Sequence, residues 1–335
     1  MLQVLPYQQR NINIGVLGKY HLPEGTKGFS FIECIGELSK PLTASSHRIF
    51  HARRNNEMIQ AIVLKYVFFT KIKIVFTATA QRNPSWITRW LISKADGLLT
   101  TSRIAAAYLP RSPDKIICHG VDTLRFRPPS QSKKEAWKSL NLPGQYGIGI
   151  FGRVRPQKGT DLLIDAMIKI FKMHPECAAT VVVVGETTKK YETYLNSLKE
   201  QIRARGLDRK FIFLGKQSFE KIPELFRGMK IVAALSRNEG FGLTVLEAMA
   251  SGCAVIATEA GAWPEIVKND FGRIVPKDNL ELTIQTLEEL LALPSSTINK
   301  MGQRARLEIE KNYLIEQEAK QIVDFYRSLQ NNSSK

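Results

Sequence analysis

Residues 147–167 read GIGIFGRVRPQKGTDLLIDAM. An apolar run is followed by a cationic loop and then by a segment whose Leu162, Leu163, Ala166, Met167 and Ile170 share one helical face. Thr160 stands where the helix cap is expected. The same alternation continues along the chain. TVVVVG (180–185) precedes a polar helix ending near 205, FIFLG (211–215) precedes a short one, and KIVAALS (230–236), AVIAT (254–258) and RIVP (273–276) follow. Strands that are apolar along their whole length need cover on both faces. The pattern predicts a parallel sheet with helices on either side, a doubly wound α/β fold. In such sheets ligands sit at the carboxyl ends of the strands.

The first part of the chain keeps the rhythm less clearly. NINIGVLG (11–18), HRIFHA (47–52), KIVFTAT (73–79), DGLLTTS (96–102) and KIICHG (115–120) read as strands, and 19–46 reads as irregular. MLQVLPYQQR reads as the end of a helix, so the customary opening strand and glycine-rich turn are missing. Both a compact variant and a chain that starts late fit this. Proline, charge and serine in HGVDTLRFRPPSQSKK mark a boundary. The expected division is a first domain at 1–125, a second at 126–310, and a helical tail at 311–335 that returns to the first.

Composition excludes several classes. The most apolar stretch, AIVLKYVFFTKIKIVFTAT (61–79), is broken by Lys65, Lys71 and Lys73, which fits a buried helix and strand better than a membrane span. The N-terminus has no charged leader before an apolar run, so no secretory signal is expected. The cysteines at 34, 118, 177 and 253 lack the paired spacing of zinc or redox sites and read as reduced, mostly buried thiols. Net charge is +17, with 16 Lys+Arg against 6 Asp+Glu in residues 1–120. A basic first domain attracts anionic partners, although a solvated basic face gives the same count. A nucleic-acid binder would interleave aromatics along a basic stripe; none is evident, so no nucleic acid is expected. Phe68, Phe69, Trp86 and Trp90 read as core and surface packing rather than a lipid slot.

The chemistry concentrates in SRNEGFGLTVLEAMASG (236–252). Glycines let the backbone approach a ligand, and a helix starting at Gly242–Leu243 directs amide N–H groups toward an anion. Glu247, just over one turn in, would repel a phosphate and suits a diol such as the ribose 2′,3′ pair; Glu239 in the loop suits sugar hydroxyls. Each acid alone also fits a plain role, a helix-dipole partner or a surface carboxylate. Arg153 and Lys158, leaving the strand GIGIFG, can reach a diphosphate, while Arg155 reads as solvated. One device for phosphate and two for sugar rings describe a nucleotide-sugar site.

In order, HGVDTLRFRPP, GRVRPQKGTDLLIDAM, VVVVGE, FIFLG and SRNEGFGLTVLEAMASG resemble glycosyltransferase family 4, with the GT-B fold. RIFHARRNNEM, IVFTATAQR and FGRVRPQKGTDL are similar to bacterial lipopolysaccharide core mannosyltransferases. The resemblance implies two Rossmann-like domains facing across a cleft, the first lacking its first strand and glycine loop. It implies that Arg153, Lys158 and Glu239 carry the chemistry. Gly152, Gly185, Lys216, Phe241, Gly242, Leu243, Thr244 and Glu247 would bind the donor, with Gly185 and Lys216 bordering the base. His51, Arg53, Arg54 and Arg82 are acceptor candidates; His51 also fits a satisfied strand-end histidine, and Gln81-Arg82 stand where the family usually has a histidine. Transfer with retention, no metal or other cofactor, GDP-mannose as donor and an anionic glycolipid acceptor at the cytoplasmic face of the inner membrane are implied, the enzyme being cytoplasmic and peripheral. A UDP-sugar donor, or a nucleotide-sugar-binding remnant without activity, are the alternatives.

Overall fold

The computed structural model describes residues 2–42 and 47–331. The chain forms two compact units, one of residues 1–120 with 314–335, the other of residues 121–313. The changes of unit fall at 120/121 and 313/314 rather than 125/126 and 310/311. There the Val121 N–H donates to the Tyr313 carbonyl at 2.9 Å, so the two crossings are paired backbone to backbone.

In the first unit, β1 (Gly15–Leu17) and β2 (Lys27–Phe29) form a two-stranded parallel sheet. β3 (Arg48–Ala52), β4 (Ile72–Ala78), β5 (Gly97–Thr100) and β6 (Lys115–Ile116) form a four-stranded parallel sheet in that order. The stretch 19–46 is therefore not irregular over its described part: besides β2 it holds the helix Phe31–Ser39, and residues 43–46 lie outside the described residues. The sign for that helix was present in the sequence. Ser30 caps it by accepting from the Glu33 N–H, and the Glu33 carboxylate accepts from the Ser30 N–H.

Inward-facing Met58, Ala61 and Leu64 of the helix Asn55–Tyr66, and Leu91 and Ile92 of the helix Trp86–Ser93, fill the core with Ile72, Ile74 and Phe76 of β4. The helix Ile315–Asn331 covers the other face of the sheet, packing Ile322, Phe325 and Tyr326 against Val75, Leu99 and Ile117. Phe68, Phe69, Trp86 and Trp90 are on the surface and not in the core, because shorter aliphatic residues already occupy the inward faces of both helices. No helix among the described residues is long and apolar enough to cross a membrane.

The second unit carries β7 (Tyr146–Phe151), β8 (Ala179–Val184), β9 (Phe211–Gly215), β10 (Met229–Ala234), β11 (Ala254–Thr258) and β12 (Gly272–Val275). They form one parallel sheet in the order β12-β11-β10-β7-β8-β9. The chain winds outward from β7 to β9, then returns to β10 on the opposite side of β7. Between β7 and β10 the winding reverses, and their carboxyl ends open the crevice where such folds bind ligands. The helix Thr160–Met173 buries Leu162, Leu163, Ala166, Met167 and Ile170 against the sheet. Its cap is Gly159, not Thr160. Gly159 takes φ 68°, and its α-carbon faces the Leu235 carbonyl so closely that a Cβ would lie 2.0 Å from that oxygen.

Candidate active site

Two loops meet at the reversal point, 152–159 after β7 and 235–242 after β10. They are fastened by Arg237. Its N–H donates to the Gln157 carbonyl at 2.9 Å, and its guanidinium grips Asp161 at 2.8 and 3.0 Å, Asp278 at 2.6 Å and the Pro156 carbonyl. Burial alone would raise the Asp161 carboxyl, but the Arg237 fork outweighs it and holds the group below its ordinary range. Arg237 was not foreseen from sequence, although it lies between Ser236 and Asn238 in the stretch that was.

With the loops fixed, Lys158 Nζ meets Glu239 Oε2 at 2.5 Å, with both side chains about four-fifths buried, at 18% and 20% exposure. The Ser236 hydroxyl approaches the same carboxylate oxygen at 3.4 Å. Beside this pair the ends of three strands are laced together. The Gly152 N–H donates to the Val184 carbonyl at 2.8 Å and the Gly185 N–H to the Gly215 carbonyl at 2.9 Å. At Gly185 (φ 155°) a Cβ would fall 1.9 Å from the Gly152 carbonyl oxygen, so only glycine permits this approach. Arg153 is exposed on the same loop, anchored by buried Val154. Arg155, expected in solvent, is half-buried, and its Nε is buried. Lys216 is exposed just beyond β9.

The helix Leu243–Ala250 starts at Gly242, which has φ 89° and offers its first-turn amides no side-chain cap. The Trp263 indole donates to the Gly242 carbonyl at 2.9 Å, and a Cβ on Gly242 would sit 2.2 Å from that indole nitrogen. Phe241 is buried and anchors the loop, leaving Leu243 and Thr244 partly exposed at the helix start. Glu247 follows on the second turn. Burial pushes its carboxyl up to about 7, partly opposed by the Arg125 charge.

Arg125 belongs to a stretch the sequence reading used only as a motif. Asp122 Oδ1 accepts from the N–H groups of Leu124 and Arg125 at 3.0 Å, closing a turn. The Arg125 guanidinium lies 3.0 Å from the Phe219 ring centroid and donates to the Phe219 carbonyl, which ties this turn to the loop after β9. Arg306 fastens the turn from behind, donating to the Phe126 and Ala250 carbonyls at 2.7 and 2.9 Å. Sequence alone could not single out Arg125, because its partners lie about a hundred residues away.

Residues 131–308 match the family model of glycosyl transferases group 1. The chain is a group 1 glycosyltransferase. It is 38% identical over 331 residues to the lipopolysaccharide core biosynthesis mannosyltransferase LpcC of Rhizobium leguminosarum bv. viciae, covering 98% of this chain and 92% of that protein. The solved C-terminal domain of LpcC, a glycosyl transferase group 1 family protein from Francisella tularensis, is 40% identical and covers 58% of this chain and 99% of the domain, at TM-score 0.55. Anabaena HepE, solved with UDP and glucose, is 20% identical at TM-score 0.73, covering 84% of this chain and 78% of HepE. At that identity the likeness concerns the fold alone, and the transferase has the GT-B fold.

In the transferase's first unit the acceptor candidates do not gather. His51 is half-buried, its Nδ1 2.5 Å from the Tyr326 hydroxyl and its Nε2 2.6 Å from the Thr77 hydroxyl. Burial, aided by the neighbouring Arg53 charge, holds its imidazole well below its ordinary pKa, so it is neutral. Both ring nitrogens are engaged within the unit, as expected of a satisfied strand-end histidine. Arg53 lines an internal cavity of about 10 Å³ with Thr77, Thr100, Thr101, His119 and Glu318, room for about one water. Arg54 is on the surface, 79% exposed and 4.0 Å from Glu57, and Arg82 is exposed.

Proposed function

We propose that this transferase moves mannose from GDP-mannose, with retention, onto the 3-deoxy-octulosonic acid of a lipid A precursor in lipopolysaccharide inner-core synthesis. The observation that carries this reading is the Lys158–Glu239 contact at 2.5 Å, at the reversal point of the sheet. It joins a phosphate-seeking cation to a hydroxyl-seeking acid, both largely shielded from solvent. When donor enters, Lys158 and Arg153 turn to the diphosphate, and Glu239 accepts hydrogen bonds from hydroxyls of the sugar being moved. Glu247, as carboxylate, accepts from the ribose diol, and Lys216 and Gly185 border the base.

In the transfer, the bond from the sugar's anomeric carbon to the diphosphate oxygen breaks and a bond to the acceptor hydroxyl oxygen forms on the same face. The acceptor proton passes to the departing diphosphate. The two cations stabilise the negative charge that develops on that group, the electrostatic mode of catalysis, so no metal is invoked. The name of a relative matched over nearly its whole length, a lipopolysaccharide core biosynthesis mannosyltransferase, supports mannose as the sugar moved and the pathway. The basic residues 1–120 suit an anionic glycolipid met at the cytoplasmic face of the inner membrane.

Titration calorimetry with GDP-mannose and UDP-glucose, followed by transfer of labelled mannose to a lipid A precursor bearing the sugar acid, tests this. Tighter binding of GDP-mannose and label in the lipid are expected. Tighter binding of UDP-glucose overturns the donor, and donor binding without transfer overturns the enzymatic reading.

A further inference from the structure

The helices Asn55–Tyr66 and Trp86–Ser93 lie side by side on one face of the β3–β6 sheet, running the same way. Asn55 Nδ2 donates to the Thr88 hydroxyl at 2.9 Å near their starts, and Lys65 pairs with Asp96 at 2.7 Å beyond their ends. Their inward residues are accounted for by the core. Their outward residues are unusually apolar. Trp86 is 78% exposed and Phe69, just past the first helix, 84%, with Ile59, Tyr66, Ile87 and Trp90 also exposed. Scattered surface hydrophobics are ordinary, but this many aromatics on two adjoining helices are not.

The surrounding charge narrows what could cover them. From residue 54 to 94 there are seven Lys+Arg and one Asp+Glu (Glu57), a net of +6. Lys65 and Lys73 are taken inward, by Asp96 and by the Leu329 carbonyl. Arg54, Lys71, Arg82, Arg89 and Lys94 remain exposed around the aromatics. Lys94 Nζ stands 5.8 Å from the Trp90 ring. Protein interfaces are poor in lysine at their centres. Indole and phenyl rings bordered by lysine and arginine instead suit the boundary between headgroups and acyl chains, where the rings sink and the cations meet phosphate.

We propose that this face docks the transferase on an anionic phospholipid bilayer, with Trp86, Trp90 and Phe69 inserted at headgroup depth and Arg89 and Lys94 on lipid phosphates. It rests on the proposed function only for its use, which is to bring a membrane-anchored acceptor within reach. The binding itself is measured with neither substrate present.

Full-length protein is floated with phosphatidylcholine vesicles, with and without phosphatidylglycerol. Wild type is expected to float with the anionic vesicles and to show a blue shift of tryptophan emission, since Trp137 and Trp263 are buried and Trp86 and Trp90 are the exposed indoles. W86A/W90A is expected to lose about ten-fold or more in partitioning and most of the shift, with an unchanged melting temperature. R89E/K94E is expected to lose the preference for phosphatidylglycerol. Wild type that stays unbound with both vesicles, or W86A/W90A that floats like wild type, overturns the proposal. So does a dimer in size-exclusion chromatography that W86A/W90A abolishes, because the face then serves a second copy. Failure of donor binding in calorimetry bears on the proposed function and leaves this result untouched.

Discussion

The strand ends of the two units are built from similar residue types and do opposite things with them. In the second unit, Arg153, Lys158 and Glu239 stand on loops that glycines bring close together, half-buried or open to solvent, with Glu247 on the helix that follows. In the first unit, His51, Thr77, Tyr326, His119 and Glu318 turn on one another. The Glu318 carboxylate accepts from the Gly120 N–H at 2.8 Å and lies 2.7 Å from His119 Nδ1, so polar groups at the strand ends are spent on holding the last helix. Polar residues at a strand end are therefore weak evidence of a site until their partners are known. What separates the two sets is where their partners lie, on the last helix for His51 and His119 and on a facing loop for Lys158 and Glu239.

The sharpest way to break this contrast is Lys158→Ala. Removing a cation aimed at the leaving diphosphate should lower kcat by about 10²–10³-fold, the size seen for one lost charge-stabilising group, with little change in melting temperature. A steady-state transfer assay beside a melting curve checks it. Equal losses in both would make Lys158 structural, like its counterparts in the first unit.

Glu318→Ala should do the reverse. Burial raises the Glu318 carboxyl, but the hydrogen bonds from His119 and the Gly120 amide outweigh it and leave the group below its ordinary range. Taking it away leaves the buried Gly120 amide unpaired and removes the carboxylate that holds His119 Nδ1, a loss of about 2–4 kcal/mol in stability. Chemical denaturation should show the loss, and calorimetry should show donor binding intact. Lost donor binding in still-folded protein would dissolve the distinction.

Glu247→Gln refines the comparison with a smaller effect. The folded carboxyl titrates near 7 against an ordinary 4.5. Between those values the folded state keeps a proton that the unfolded state has released, so this group's effect on stability worsens as pH rises through the window and levels off above about 7. Glutamine should remove that dependence, making the variant more stable than wild type by about 1–2 kcal/mol at pH 8 and equal to it near pH 4. Donor affinity should run the other way in wild type, improving as pH rises through 7 and the diol acceptor ionises, and should be flat in the variant. Melting and calorimetry at four or five pH values read both.

The second unit was legible in the sequence because its strands are apolar throughout and its glycines mark real conformational demands. VVVVG and FIFLG are strands, and Gly185 and Gly242 occupy backbone positions where side chains would collide. Lys158 and Glu239 could be placed together because each follows such a strand. The first unit was less legible. Its β6 has two residues, and the partner of His51 is Tyr326, 275 positions away. Arg125 and Arg237 were missed for the same reason: an arginine in a loop reveals nothing until its partners are placed around it. The helix Phe31–Ser39 is different, since Ser30 and Glu33 spelled its cap locally.

The two backbone crossings carry a practical consequence. Residues 121–313 form an unbroken piece of chain and can be expressed by simple truncation, whereas the first unit is made from both ends of the polypeptide. Cutting the gene after residue 120 would discard the helix that covers Val75, Leu99 and Ile117. Gly120 lies so close to Leu314 that a Cβ on it would come within 2.4 Å of the Leu314 carbonyl oxygen. Excising the whole second unit and splicing Gly120 to Leu314 through a short glycine linker should thus yield a stand-alone miniature of the first.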